Sequence, residues 1–163
     1  MMKLEKIEIL NPELRYQIVV GQANFTVFTV DDLYKSLLTA VPGIKVAVAM
    51  NEAAPKLVRV TGNDEELKKI AAENAQRIAA SHVFVVVTSN AFPINILNTI
   101  KLHPAVCNVF VASANPIEII VAETELGRAV LGAVDGTAVT RIENDEEKNQ
   151  RRELCKKLGY RID

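Results

Sequence analysis

Tryptophan is absent from the 163 residues, and all aromatics together make up 5%. The core must therefore be built from Val, Ile, Leu and Ala, which suits helices packed on strands buried on both faces. Cysteine is almost as scarce, with only Cys107 and Cys155. They form neither a metal-ligand spacing nor a disulfide framework. Two free thiols, and an opening Met1-Met2-Lys3-Leu4-Glu5-Lys6 with no signal-peptide core, lead to the expectation of a reducing cytoplasm. Neither charge is in excess: 19 basic minus 20 acidic residues gives −1. Such a chain lacks the electrostatic footprint of a nucleic-acid binder. No apolar run is long enough for a membrane span. Phosphate loops of the G-x-x-x-x-G-K-S/T and G-x-G-x-x-G kinds are missing, as is any histidine-rich metal spacing, so no metal site is expected. Two histidines, His82 and His103, leave room for few acid–base arrangements.

What is present reads as an ordinary globular chain, 49% hydrophobic and 24% charged. The length suits one domain over residues 1–163. Residues 6–9 alternate as a half-exposed strand and 17–21 read as a second. Thr29-Val30-Asp31-Asp32 opens a helix, with Thr29 as N-cap and aspartates where the helix dipole favours them. Leu33, Leu37 and Leu38 form its stripe, and Pro42-Gly43 ends it. Residues 44–50 and 57–61 read as a hairpin with a wide loop. Asn63-Asp64-Glu65-Glu66 caps a helix running to about residue 80, with Leu67, Ile70, Ala71, Asn74 and Ile78 inward. The near-continuous β-branched run 82–87 marks a central strand. Pro93 starts a helix to about residue 102. Strands follow at 106–112, 117–122 and 129–134, then a helix from Asn144 over 145–158, closed by Gly159. The order β-β-α-β-β-α-β-α-β-β-β-α predicts the α/β class: a single-domain α/β/α sandwich with a mixed β-sheet.

A helical crossover between 82–87 and 106–112 predicts parallel strands with a shared C-terminal edge. That edge carries Ser89, Asn90, Ser113 and Asn115. If Glu123 faces Arg128 across Thr124-Glu125-Leu126-Gly127, the register brings Asp135 opposite Pro116 and onto the same edge. The opposite edge collects His82 and the Glu123–Arg128 tip. Two polar clusters are therefore expected, a strand length apart.

Each candidate has two readings. His82 is either a hydrogen-bonded hinge or a general base and phosphate acceptor, since imidazole ionises near neutral pH. His103, before Pro104, reads as a surface turn. Asn90, Asn95 and Asn98 either cap and solvate or recognise a base or ribose with their paired donors and acceptors. Glu123 and Arg128 form a cross-strand ion pair, or Arg128 grips phosphate through its planar fork. Asp135 shapes a turn before Gly136 or accepts a hydroxyl proton. Glu52, in its hairpin loop, is open in the same way.

The stretches Phe92-Pro93-Ile94-Asn95-Ile96-Leu97, Ala114-Asn115-Pro116, Val121-Ala122-Glu123-Thr124-Glu125 and Gly127-Arg128-Ala129-Val130-Leu131-Gly132-Ala133-Val134-Asp135-Gly136 resemble those of the adenosine-specific kinases. Val60-Thr61-Gly62-Asn63-Asp64 and Thr29-Val30-Asp31-Asp32-Leu33 do as well, so the similarity spans about residues 3–160. The resemblance implies an α/β/α sandwich, a homo-oligomer, adenosine or AMP as ligand, and a histidine that carries phosphate. His82, in Ser81-His82-Val83-Phe84, matches a histidine of the family pattern. Asn24, in Gly21-Gln22-Ala23-Asn24-Phe25, stands where that pattern often has histidine. The site reading is thus His82 and Asp135 as catalytic, with Asn24, Glu52, Asn90, Asn95, Asn115, Glu123 and Arg128 contacting nucleoside or phosphate. Glu123 is the expected acceptor that orients the His82 ring. The function that follows is adenosine or AMP binding with phosphoryl transfer through a phosphohistidine. The alternative is a non-catalytic adenine-nucleotide sensor, and a third reading is a structural interaction domain. No cofactor is required by the residues themselves; ATP and Mg²⁺ enter only with the kinase reading.

Overall fold

A computed structural model describes residues 1–24 and 30–160. In chain order it contains β1 (Lys3–Glu8), β2 (Gln17–Ala23), α1 (Val30–Ala40), β3 (Val46–Asn51), β4 (Val58–Gly62), α2 (Glu65–Ile78), β5 (Val83–Thr88), α3 (Pro93–Leu102), β6 (Val106–Ser113), β7 (Ile117–Glu123), β8 (Arg128–Asp135) and α4 (Asp145–Lys157). This is the order of strands and helices expected from periodicity.

The strands divide between two sheets, a five-stranded one in the order β4-β3-β5-β2-β6 and a three-stranded one in the order β1-β7-β8. All six strand pairings are antiparallel. β5 and β6 do run in one direction, but they are not neighbours. β2 lies between them, antiparallel to each. A close approach at Gly21 makes that insertion fit. A Cβ there would lie 2.4 Å from Phe84 Cζ and 2.5 Å from the Asn108 carbonyl oxygen, so only glycine passes.

β5 sits at the centre, and all six of its residues are buried. Side chains alternate along a strand, so Val83, Val85 and Val87 enter one core and Phe84 and Val86 the other. The first core lies between the five-stranded sheet, α2 and the inner face of the three-stranded sheet, where Ile117, Ile119 and Val121 point in. The second lies under α1 and α3, through Leu33, Leu37, Ile96 and Ile100. The layering is therefore helices, sheet, then a helix sharing its layer with a small sheet.

Local chemistry explains the ends. The Asp64 carboxylate accepts from the Glu66 and Leu67 amides at the start of α2. Leu67, Ile70, Ala71, Asn74 and Ile78 are buried as their spacing predicts. Asn74 earns a polar place in that stripe by a two-point clamp. Its Oδ1 accepts from Leu10 N–H at 2.7 Å and its Nδ2 donates to Leu10 O at 2.9 Å. Leu38, expected inside, is exposed on α1, while Leu33 and Leu37 are buried. Thr29, the expected cap of that helix, lies outside the described residues. His103 corrects the expectation of a surface turn: it is buried, and its Nδ1 accepts from Ala105 N–H at 3.2 Å. The turn after it closes with Val106 N–H donating to His103 O at 3.0 Å.

α4 differs from the other helices, since no residue in it is buried. Its order comes from its own ends: Asn144 and Glu147 form a reciprocal capping box. Arg141 and Arg151 pair with Glu147 and Glu143. No helix among the described residues is long and apolar enough to cross a membrane.

Candidate functional site

Glu123 faces Arg128 across the β7–β8 tip, as expected. The Arg128 Nε and Nη2 donate to Glu123 Oε2 at 3.1 and 2.9 Å, and Nη2 also donates to Glu5 Oε2 at 3.0 Å. Lys3 above all, and then Arg128, hold the Glu5 carboxylate below its ordinary pKa. Arg128 therefore ties the tip to β1 through two carboxylates. Farther along, the register slips by one residue between Ile120 and Val121, where Leu131 is the extra residue on β8. Asp135 consequently lies opposite Ile117 rather than Pro116, and Gly136 N–H reaches Pro116 O at 2.9 Å.

The two polar ends are real and separate. Arg128 and Asp135 occupy opposite ends of the eight-residue β8, about 23 Å apart at the rise of an extended strand. At the Asp135 end, Asn115 Nδ2 donates to Asp135 Oδ1 at 3.0 Å. Asn90 pins the α1–β3 connection, accepting from Lys45 N–H and donating to Gly43 O. Asn95 closes the first turn of α3 by accepting from Phe92 N–H. These four side chains share an end of the molecule but form no common cavity among the described concavities.

The other end is concave. A cleft of about 1420 Å³ opens between the outward face of α2, the β3–β4 loop and the β7–β8 tip. Ala53, Leu57, Val58, Ala72, Leu126 and Ala129 give it apolar walls, with Glu52, Lys69, Glu73, Gln76, Ser81 and Arg128 as polar points. Apolar walls with a few convergent polar groups are the usual form of a small-molecule site. Glu52 and Arg128, both singled out from sequence, line it directly. Glu52 Oε2 also accepts from Arg59 Nε at 2.8 Å.

His82 follows Ser81 of the cleft wall. Its φ of 61° is left-handed, a region that histidine visits more than most residues but that still costs energy. Two backbone bonds hold it there: its N–H donates to Asn51 O at 2.8 Å, and its C=O accepts from Ala23 N–H at 2.9 Å. Asn24 comes next after Ala23, so these two candidates, far apart in sequence, meet at the ends of β2 and β5. No hydrogen bond between His82 and Glu123 is formed among the described residues, because the Glu123 carboxylate is turned to Arg128.

Sequence reasoning passed over Asn51, Lys69, Gln76 and Arg77. Asn51 is 7% exposed, and its Nδ2 donates to Ala75 O and Ala80 O at 2.8 and 3.0 Å. It thereby ties the end of α2 to the strand that holds His82. Lys69, Gln76 and Arg77 lie on the outward side of α2 at helical spacing. That stripe is visible in the sequence; that a hairpin tip from another sheet stands over it is not. No group of three or more His, Cys, Asp or Glu that could hold a metal occurs among the described residues.

The sequence profile of a family described as adenosine specific kinase matches residues 7–161. The chain is 60% identical to the PH1918 protein from Pyrococcus horikoshii OT3, and superposes on its crystal structure with a TM-score of 0.94 over 100% of both chains. No curated protein matches.

Proposed function

Because this chain belongs to the adenosine specific kinase family, we propose that it binds adenosine in the cleft under the β7–β8 tip and transfers a phosphoryl group to it. The observation that carries the reading is the cleft itself, which joins Glu52 and Arg128 to the wall ending at Ser81, one residue before His82. Its apolar walls suit the base, and the amide of Gln76 and the carboxylates suit the base edge and ribose.

The route we propose runs through His82. An unprotonated imidazole nitrogen attacks the γ-phosphorus of ATP, and ADP leaves with the bridging oxygen. The adenosine 5′-hydroxyl oxygen then bonds to phosphorus, the P–N bond breaks, and the hydroxyl proton passes to the released imidazole nitrogen. AMP is the product and stays a ligand of the same cleft. The φ of 61° at His82, held by bonds to Asn51 and Ala23, supports the role, since strained backbone gathers at functional sites. Asp135, at the far end of β8, takes no part within one subunit. ATP is a substrate in this scheme, and no step depends on a protein-built metal site.

A homo-oligomer in a reducing compartment completes the proposal. Leu4 and Leu131, on the outer face of the three-stranded sheet, are 60% and 59% exposed, and Val139 and Ile142 before α4 are 95% and 91% exposed. Apolar surface of this extent favours a second copy. Both cysteines are free thiols.

Labelled ATP and adenosine test the scheme. Wild-type protein is expected to give labelled AMP, and His82→Asn to keep adenosine binding while losing transfer. Full transfer by His82→Asn would refute the phosphohistidine. Binding without transfer in the wild type would favour the sensor.

A further inference from the structure

The cleft has a side hollow of about 600 Å³ between the last turn of α2 and residues 123–128. Gln76, Thr124 and Arg128 line both spaces, so one molecule can reach from the first into the second. Two arginines line the hollow, Arg77 and Arg128, and they are electrostatically unlike. Arg128 is taken up by Glu5 and Glu123. Arg77 forms no ion pair among the described residues. Glu73 stands four residues before it, the spacing and order that favour a helical Glu–Arg pair, yet the pair is not made. The Arg77 Nη1 is instead buried without a hydrogen-bond partner. A charged donor so placed has lost its hydration and gained no acceptor. Arg152 Nε is in the same condition on α4, but that residue lines no described concavity.

A planar fork with an unpartnered donor, beside a cleft large enough for a nucleoside, suits an anion with several oxygens. We propose that Arg77 holds the phosphoryl group of a nucleoside monophosphate in this hollow, with its nucleoside in the larger cleft. The assignment rests on the adenosine reading above. Glu123 and Glu125 line the same hollow. Glu123 is answered by Arg128, while Glu125 opposes an anion. The phosphate is therefore gripped by the geometry of one guanidinium and not drawn in by a broad positive field.

Calorimetry with AMP and with adenosine, on wild type, Arg77→Gln and Arg77→Lys, tests this. Arg77 is half-buried in a last helical turn, and thermal unfolding checks that each variant folds. We expect Arg77→Gln to weaken AMP about ten- to hundredfold, the loss typical of charged hydrogen bonds, with adenosine unchanged. Arg77→Lys should recover little, since ammonium lacks the fork. Equal losses for AMP and adenosine, or no loss for AMP, overturn the assignment. A second measurement stands apart from the nucleoside: titration of the full-length wild type with inorganic phosphate, following the Arg77 Nε–H resonance by NMR. A shift supports the phosphate site even if adenosine fails to bind, an outcome that would sink only the nucleoside reading. An unmoved resonance with both phosphate and AMP overturns it.

Discussion

Replacing Asn74 with leucine isolates the contact that fixes one cleft wall to the rest of the protein. Asn74 is fully buried, and its amide bonds both the N–H and the C=O of Leu10. Leucine has the same branching and number of side-chain heavy atoms but no polar atom, so both backbone groups of Leu10 lose their partner. Each buried, unsatisfied group costs about 1–3 kcal/mol, or about 2–6 kcal/mol for the two. Burying the extra apolar surface returns about 1–2 kcal/mol. The ranges net to a loss of about 0–5 kcal/mol, centred on about 2.5 kcal/mol, equivalent to a fall in Tm of about 8 °C for a chain of this length. Urea unfolding at neutral pH, followed by circular dichroism, reads the first number, and a thermal scan the second. Asn74→Asp should be no better, because its carboxylate would face the Leu10 carbonyl oxygen. A loss below about 1 kcal/mol for Asn74→Leu would refute the reasoning, since it would mean that water or a local shift satisfies Leu10 at little cost.

Two further predictions follow from buried groups. Burial, opposed by the charge of Asp32, lowers the pKa of His103 from its ordinary 6.5. The unfolded chain then binds the proton more readily than the native one, so stability holds above about pH 6.5 and falls as pH drops through the folded pKa. His103→Asn, which keeps an acceptor near Nδ1, should flatten the stability curve between pH 7 and pH 5 in urea titrations; an unchanged slope would contradict the assignment. Gly21→Ala should lower stability by about 2–3 kcal/mol through overpacking, because the new methyl group would meet Phe84 and Asn108. An unaltered urea midpoint would show that β2 shifts freely between its neighbours.

Much of the fold was legible because its signals are local. The near-continuous β-branched run of β5, the Asp64 cap and the Leu67–Ile78 stripe each state their own element and inner face. The Glu123–Arg128 pairing was legible too, since a short turn fixes its register. Non-local placement was not. Nothing in the helical crossover between β5 and β6 reveals that β2 inserts between them, because strand neighbours are chosen by packing of distant segments. The bulge at Leu131 moved Asp135 by one place; Gly132 beside it is the signal that sequence reasoning passed over, since an isolated glycine inside a strand often marks a bulge. Candidate residues scattered for the same reason. Asn90 holds a connection, Asn95 closes a helix start and Asn115 bonds Asp135, while Arg77 carries no local signal, since nothing near it in the sequence shows that a hairpin tip stands over it.

The cleft straddles two sheets, and that has a mechanical consequence. One jaw, α2 with the β3–β4 loop, is bolted to the five-stranded sheet; the other is the tip of the smaller sheet. The hinge between them is the core that contains Ile119, Val121, Val85 and Ala75. Close-packed interiors yield little, so the jaws cannot swing apart without exposing that core. Local movement is left to the loops at the rim, among them residues 124–127, where Leu126 is exposed and, among the described residues, the Thr124–Gly127 hydrogen bonds brace the turn. The width of the cleft is thus set when the chain folds, by the hydrophobic core behind it and not by the residues that line it.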